Sequence, residues 1–88
     1  STVFEDEEVL AVDRQIDVVK LPVGRLAGQT LVDAAVRTRT GCTVLAVRRD
    51  DETITEFDPG GFVFDADDEV ILAGTDDSVR SFEAQFLA

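Results

Sequence analysis

The residues that could do chemistry in this 88-residue chain are few in kind. There are eight Lys and Arg, nineteen Asp and Glu, a single cysteine and no histidine. Arg25 sits between two glycines in Gly24-Arg25-Leu26-Ala27-Gly28, and Arg48-Arg49 close an apolar run that starts at Thr43. A guanidinium is a planar fork of donors that fits a phosphate or carboxylate through two parallel bonds. Arg25, Arg48 and Arg49 are therefore the candidate residues for an anionic effector. The competing reading pairs them with nearby acids such as Asp50, Asp51 and Glu52. Acidic clusters occur at Glu5–Glu8, Asp50–Glu52, Asp65–Glu69 and Asp76-Asp77. A calcium site needs several oxygens converging at about 2.3–2.6 Å, and none of these clusters has the twelve-residue EF-hand spacing. In a chain this acidic they read as solvated surface, so no metal ligand is assigned. Cys42 reads as a small buried hydrophobe. Catalysis finds no constellation: nucleophilic triads rely on a base that is usually His, and the Gly24–Gly28 loop lacks the Lys-Ser/Thr ending of a P-loop. The chain reads as a non-enzyme, with function residing in ligand binding or association.

The acid excess leaves a formal net charge of −11 with one lysine, Lys20. In multimolar salt the screening length falls to about 3 Å, and such a surface stays hydrated while its self-repulsion is damped. The composition is read as an adaptation to a salt-rich cytoplasm. Nucleic-acid binding is not expected, because phosphate neutralisation needs clustered Lys and Arg. No run approaches the length of a membrane span, and Ser1-Thr2-Val3-Phe4 followed by four acids does not resemble a secretory leader. One cysteine forms no internal disulfide.

The length fits one domain. Residues 1–14 are read as a connector from an upstream domain, either a helix end or a linker, and 15–88 as a folded unit. Ile16–Val23 alternates as a strand, with Ile16 and Val18 on one face and Val19 and Leu21 on the other. Thr30 is an N-cap with Asp33 three residues on, so a single helix is expected over Thr30–Arg39, ended by a left-handed Gly41. Leu31, Ala34, Ala35 and Thr38 share one face, with Val32 and Val36 beside it. Thr43–Arg49 and Glu52–Phe57 form a hairpin across Asp50-Asp51, and Asp58-Pro59-Gly60-Gly61 is a turn. Glu69–Ala73 is the most apolar strand and is expected at the centre, stopped by Gly74. A closing helix over Thr75–Phe86 presents Val79, Phe82 and Phe86 as a buried stripe. The strip Phe57, Phe62, Val63 and Phe64 serves either a dimer interface or the domain's own core. The fold class is α+β: a small, mostly antiparallel sheet with two helices.

Three segments carry a resemblance: Leu26-Ala27-Gly28-Gln29-Thr30-Leu31, Gly41-Cys42-Thr43-Val44-Leu45-Ala46-Val47-Arg48-Arg49, and Asp68-Glu69-Val70-Ile71-Leu72-Ala73-Gly74. In this order and spacing they resemble the TrkA-C domain, the C-terminal lobe of RCK regulators of potassium transport. The resemblance implies a cytoplasmic module, peripheral to the membrane through its host. It implies a homodimer, following a Rossmann-type lobe and regulating a potassium transporter or channel subunit. Effectors in the family include divalent cations and cyclic di-AMP, at or near the dimer interface; an NAD or ATP site would lie in the upstream lobe, leaving no cofactor in this domain. Two departures, Asp51 and Asp67, stand where the family often has glycine, and a left-handed backbone is expected at both. Two other readings stay open: an association module without an effector, and the same module on an antiporter, an anion symporter or a transcriptional regulator.

Overall fold

The computed structural model describes residues 15–88. Strand β1 (Ile16–Pro22) leads into a 3₁₀ turn at Gly24–Leu26, then helices α1 (Leu31–Ala34) and α2 (Val36–Thr40). Strands β2 (Thr43–Arg49), β3 (Glu52–Ile54) and β4 (Glu69–Thr75) follow, and α3 (Asp76–Phe82) continues into a π-helical turn at Glu83–Leu87. The sheet order is β1-β4-β2-β3, antiparallel throughout. β4 lies between β1 and β2, where its apolar run is expected. The connector assigned to residues 1–14 lies outside the described residues.

One face of the sheet is the core. Val70 and Leu72 of β4 and Val47 of β2 are fully buried there, against Phe82 and Phe86 of the last helix and Phe64 of the loop before β4. The expected stripe holds: Phe82 and Phe86 are buried with ring centroids 5.0 Å apart, and Val79 packs at their edge. Of the Phe57–Phe64 strip, Phe64 is buried and its ring meets Phe57 and Phe62. The three rings close the domain's own core, and Val63 alone is left outside.

Four expectations are corrected. The single helix over Thr30–Arg39 is two, broken at Ala35, whose φ of 51° is left-handed. The Thr30 cap forms as expected, its hydroxyl accepting from the Asp33 N–H at 3.1 Å. A continuous helix would set Val32 and Val36 side by side on one face. The kink separates them: Val36 is 1% exposed and Val32 62%. Burial of Val36 and Thr40 thus outweighs the strain of a left-handed alanine, about 1–2 kcal/mol. Ala35→Gly is expected to stabilise the fold by about 1 kcal/mol, read as a higher denaturant midpoint; a lower midpoint would show that the methyl's packing matters more than the strain.

Gly74 does not end β4. It is a buried strand residue opposite Asp17, and an added Cβ would lie 3.0 Å from Cys42 Sγ and 3.2 Å from Ser78 Cβ. Its role is close approach between strand and helix. The second arm of the hairpin stops at Ile54 rather than Phe57, because Phe57 turns to pack on Phe62 at 5.0 Å. The hairpin turn has the expected left-handed backbone, with φ of 53° at Asp50 and 66° at Asp51. Asp67 does not: it sits inside a turn closed by the Asp68 N–H donating to the Asp65 carbonyl at 3.0 Å, without positive φ.

Candidate functional site

The three arginines singled out by type do not converge. Arg25 is exposed on the 3₁₀ turn, where its carbonyl accepts from Gln29 Nε2 at 2.7 Å. Arg48 and Arg49 are consecutive on β2, so their side chains leave opposite faces of the sheet. Arg48 donates to the Thr53 hydroxyl at 2.7 Å across the hairpin. Among the described residues, Arg25 shares no hydrogen bond or ion pair with either of them.

Arg49 is paired with acids, though not those next to it in sequence. Its Nε and Nη2 donate to Asp68 Oδ1 and Oδ2 at 2.9 and 2.7 Å, a bidentate fork. Nη2 also reaches the Val63 carbonyl at 3.1 Å, and Asp65 Oδ2 lies 3.5 Å away. The guanidinium carbon stands 4.6 Å from the Phe62 ring centre, a cation–π contact. Asp68 is 3% exposed and accepts in addition from the Asp65 N–H at 2.8 Å. The Arg49 fork, against the opposing effect of burial, holds the Asp68 carboxyl below its ordinary value. This clasp ties the end of β2 to the turn before β4.

A carboxyl whose folded pKa is depressed contributes stability that is fully present above its unfolded pKa, about 3.9. That contribution is lost as pH falls through the folded value. Asp68→Asn removes the charge from three hydrogen bonds and is expected to cost about 2 kcal/mol at neutral pH. The gap from the parent should narrow as pH drops below about 4. Denaturant midpoints between pH 2 and 7 check this, and a gap independent of pH would show that the Asp68 charge contributes nothing.

An apolar concavity lies elsewhere. An open groove of about 370 Å³ runs between the kinked helices and the start of β2. Leu31, Val32, Ala35 and Val36 form its helical wall, and Cys42, Thr43 and Val44 its strand wall. Arg37 and Thr38 supply polar atoms at the α2 side. The Ala35 kink shapes this groove, since a continuous helix would present a different set of residues. Cys42 is buried at its base, and burial pushes its thiol pKa up, keeping it protonated at neutral pH. The Thr40 hydroxyl accepts from the Cys42 N–H at 3.0 Å and donates to the Val36 carbonyl at 2.6 Å, fixing the helix end to the strand start. Sequence reasoning missed this site because Val32 and Val36 read as flanks of one continuous helical face. The signal that finds it is the kink, which residue types alone do not encode. Among the described residues, no group of three or more Cys, Asp and Glu is placed to hold a metal ion, and no helix is long and apolar enough to cross a membrane.

A family model described as the TrkA-C domain matches residues 16–87. No curated protein matches the chain by sequence. Among solved structures, the RCK C domain of the potassium transport protein KtrA in complex with cyclic di-AMP is 23% identical with a TM-score of 0.75, covering 98% of this chain and 100% of that one. The RCK_C domain dimer of S. agalactiae BusR with cyclic di-AMP is 18% identical with a TM-score of 0.68, covering 78% of this chain and 88% of that one. The GsuK channel bound to NAD is 23% identical with a TM-score of 0.71, over 91% of this chain and 15% of that one. BusR is also seen with its busAB-promotor DNA, 16% identical with a TM-score of 0.67, over 94% of this chain and 44% of that one. At these identities the likeness is one of fold.

Proposed function

The chain belongs to the TrkA-C domain family, and from that premise we propose that it is the ligand-binding and dimerising lobe of a cytoplasmic regulator of potassium uptake or of a potassium channel. Residues 1–14 are its connector to an upstream Rossmann-type lobe, which holds any nucleotide cofactor. The observation that supports effector binding is the groove between α1, α2 and β2: an apolar cleft with Arg37 in its lining. Such a cleft suits an organic anion with flat apolar parts. KtrA and BusR domains of this fold are seen with cyclic di-AMP, and that ligand has this chemistry. A divalent cation is the other effector class to test. Arg37 lines the groove itself; Arg25 and Arg48 are candidates for an anionic group outside it, and Arg49 acts through the clasp that holds the β2 end.

Regulation then follows from population shift. An effector that binds one dimer geometry more tightly biases the attached transporter by no more than its differential affinity. The charge of −11 supports a role without direct nucleic-acid contact for this lobe, and suits a salt-rich cytoplasm. BusR, whose fold this lobe shares, is seen with its busAB-promotor DNA, and the same lobe on a transcriptional regulator is the alternative host.

Thermal melts in molar KCl test the reading, because a ligand that binds the native state raises its melting temperature. Cyclic di-AMP or Ca²⁺ is expected to raise it in a saturable way. For the dinucleotide, Arg37→Ala should weaken the response about tenfold or more while leaving the unliganded melt unchanged. If neither ligand shifts the melt, the effector-free association module is the better account.

A further inference from the structure

Helix α2 supplies part of the groove wall, including Arg37 and Thr38, yet it does little to set its own place. It is five residues long and starts at the left-handed Ala35, with no side chain capping its first turn. Nucleation leaves so short a helix unstable alone, so its position comes from what it is tied to. One tie is local: the Thr40 hydroxyl bonds to Val36 and Cys42. The other comes from 46 residues along the chain.

Gln85 engages its whole carboxamide in that second tie. Its Oε1 accepts from Arg39 Nε at 3.1 Å, and its Nε2 donates to the Arg39 carbonyl at 2.8 Å and to the Ser81 hydroxyl at 3.0 Å. Arg39 is thus held by both its side chain and its backbone, in the last turn of α2. Its guanidinium carbon also stands 5.3 Å from the Phe86 ring centre. Gln85 and Phe86 lie in the π-helical turn Glu83–Leu87, where the Ala88 N–H donates to the Glu83 carbonyl at 2.9 Å. Such turns are rare and recur at functional sites. In this one Phe86 is seated in the core at 2% exposure, its carbonyl abuts Gly24, and Gln85 reaches α2.

The chemistry of the tie is unusual for this chain. Among the described residues Arg39 forms no ion pair, although acids outnumber bases nineteen to eight. Its partners are a neutral amide and a ring. Molar salt weakens an ion pair between exposed side chains. A carboxamide has no charge to screen and does not titrate.

We propose that Gln85 is a positioning residue for the groove: through Arg39 it holds α2 against the last helix and so fixes the wall that presents Arg37. The inference rests on the reading of the groove as the effector site. Without the tie, α2 swings on the Ala35 kink, a local opening that does not require global unfolding. An effector then meets a smaller population of the competent groove, and its apparent affinity falls by that fraction.

Cys42, the chain's single thiol, is fully buried at the base of the groove, and its rate of labelling by a maleimide in molar KCl reads the opening without any ligand. Gln85→Met keeps the length of the side chain and loses its hydrogen bonds. It is expected to speed labelling about fivefold beyond the rise in global unfolding given by its denaturant midpoint. In calorimetry it should weaken cyclic di-AMP by about fivefold, and with Arg37→Ala already in place the further loss should fall below about twofold. Arg80→Met removes an exposed ion pair with Asp76 on the last helix and should leave both readouts within about twofold. Labelling that rises only in step with global unfolding, or a dinucleotide affinity unchanged by Gln85→Met, overturns the proposal. A parent chain that binds no dinucleotide refutes the effector reading instead, and the labelling rates then decide by themselves whether Gln85 holds α2.

Discussion

Phe82→Ala should unfold the chain at denaturant concentrations where the parent is still native, lowering its stability by about 3–5 kcal/mol. Phe82 is fully buried and stacks on Phe86, at the centre of the contact between the last helix and the sheet. Removing a buried phenylalanine typically costs about 3–5 kcal/mol, from lost transfer energy and from the cavity left behind. An 88-residue domain commands roughly 5–10 kcal/mol in total, so the loss is a large share of it. The effect should be greatest at low salt, where self-repulsion of the −11 charge is least screened. Far-ultraviolet circular dichroism against denaturant and KCl checks both points. A variant as stable as the parent would mean that the helix is not seated on the sheet by this ring.

Gly24→Ala is expected to cost about 3 kcal/mol, combining a left-handed backbone with overpacking. Gly24 has φ of +55°, and an added Cβ would overlap the Phe86 carbonyl oxygen and lie 2.6 Å from Leu87 Cδ2. The backbone of the final helical turn would have to move, and Phe86 beside it is 2% exposed. For a domain of this size that corresponds to roughly 10–20 °C in melting temperature. Gly28 is the internal control: its φ is +83°, but an added Cβ meets nothing within 4 Å. Gly28→Ala should therefore cost only the conformational term, about 1 kcal/mol. Equal losses at the two positions would show that the Gly24–Phe86 contact carries no weight.

What the sequence reveals of this fold depends on how local the determinants are. The caps at Thr30 and Thr75, the stop at Gly41 and the left-handed Asp50-Asp51 turn are set by neighbours within a few residues, and all appear in the structure. The stripe of Val79, Phe82 and Phe86 is a simple period and buries as read. The break at Ala35 is not local: nothing in Asp33-Ala34-Ala35-Val36 disfavours a continuous helix, and the kink comes from the need to bury Val36 and Thr40 against the sheet. The groove follows from the kink, so it was hidden with it. The acid partner of Arg49 was hidden for a similar reason. Asp68 is 19 residues away in sequence, and only the antiparallel pairing of β2 with β4 brings the two together. Gly74 shows the reverse error, a strand-interior glycine that looks like a terminator until Cys42 and Ser78 are seen against it.

The chain belongs to the TrkA-C domain family, and in the function proposed for it the groove and a dimer interface divide the work. In this account one recognises an effector and the other holds two copies in register, so that a ligand can bias their geometry. The most direct test of that account is calorimetric titration of the whole chain in molar KCl with cyclic di-AMP and, separately, with Ca²⁺. One of the two is expected to bind saturably, and if it is the dinucleotide, with a loss of heat on Arg37→Ala. Absence of binding by both ligands, across concentrations at which the chain is folded and dimeric, would contradict it.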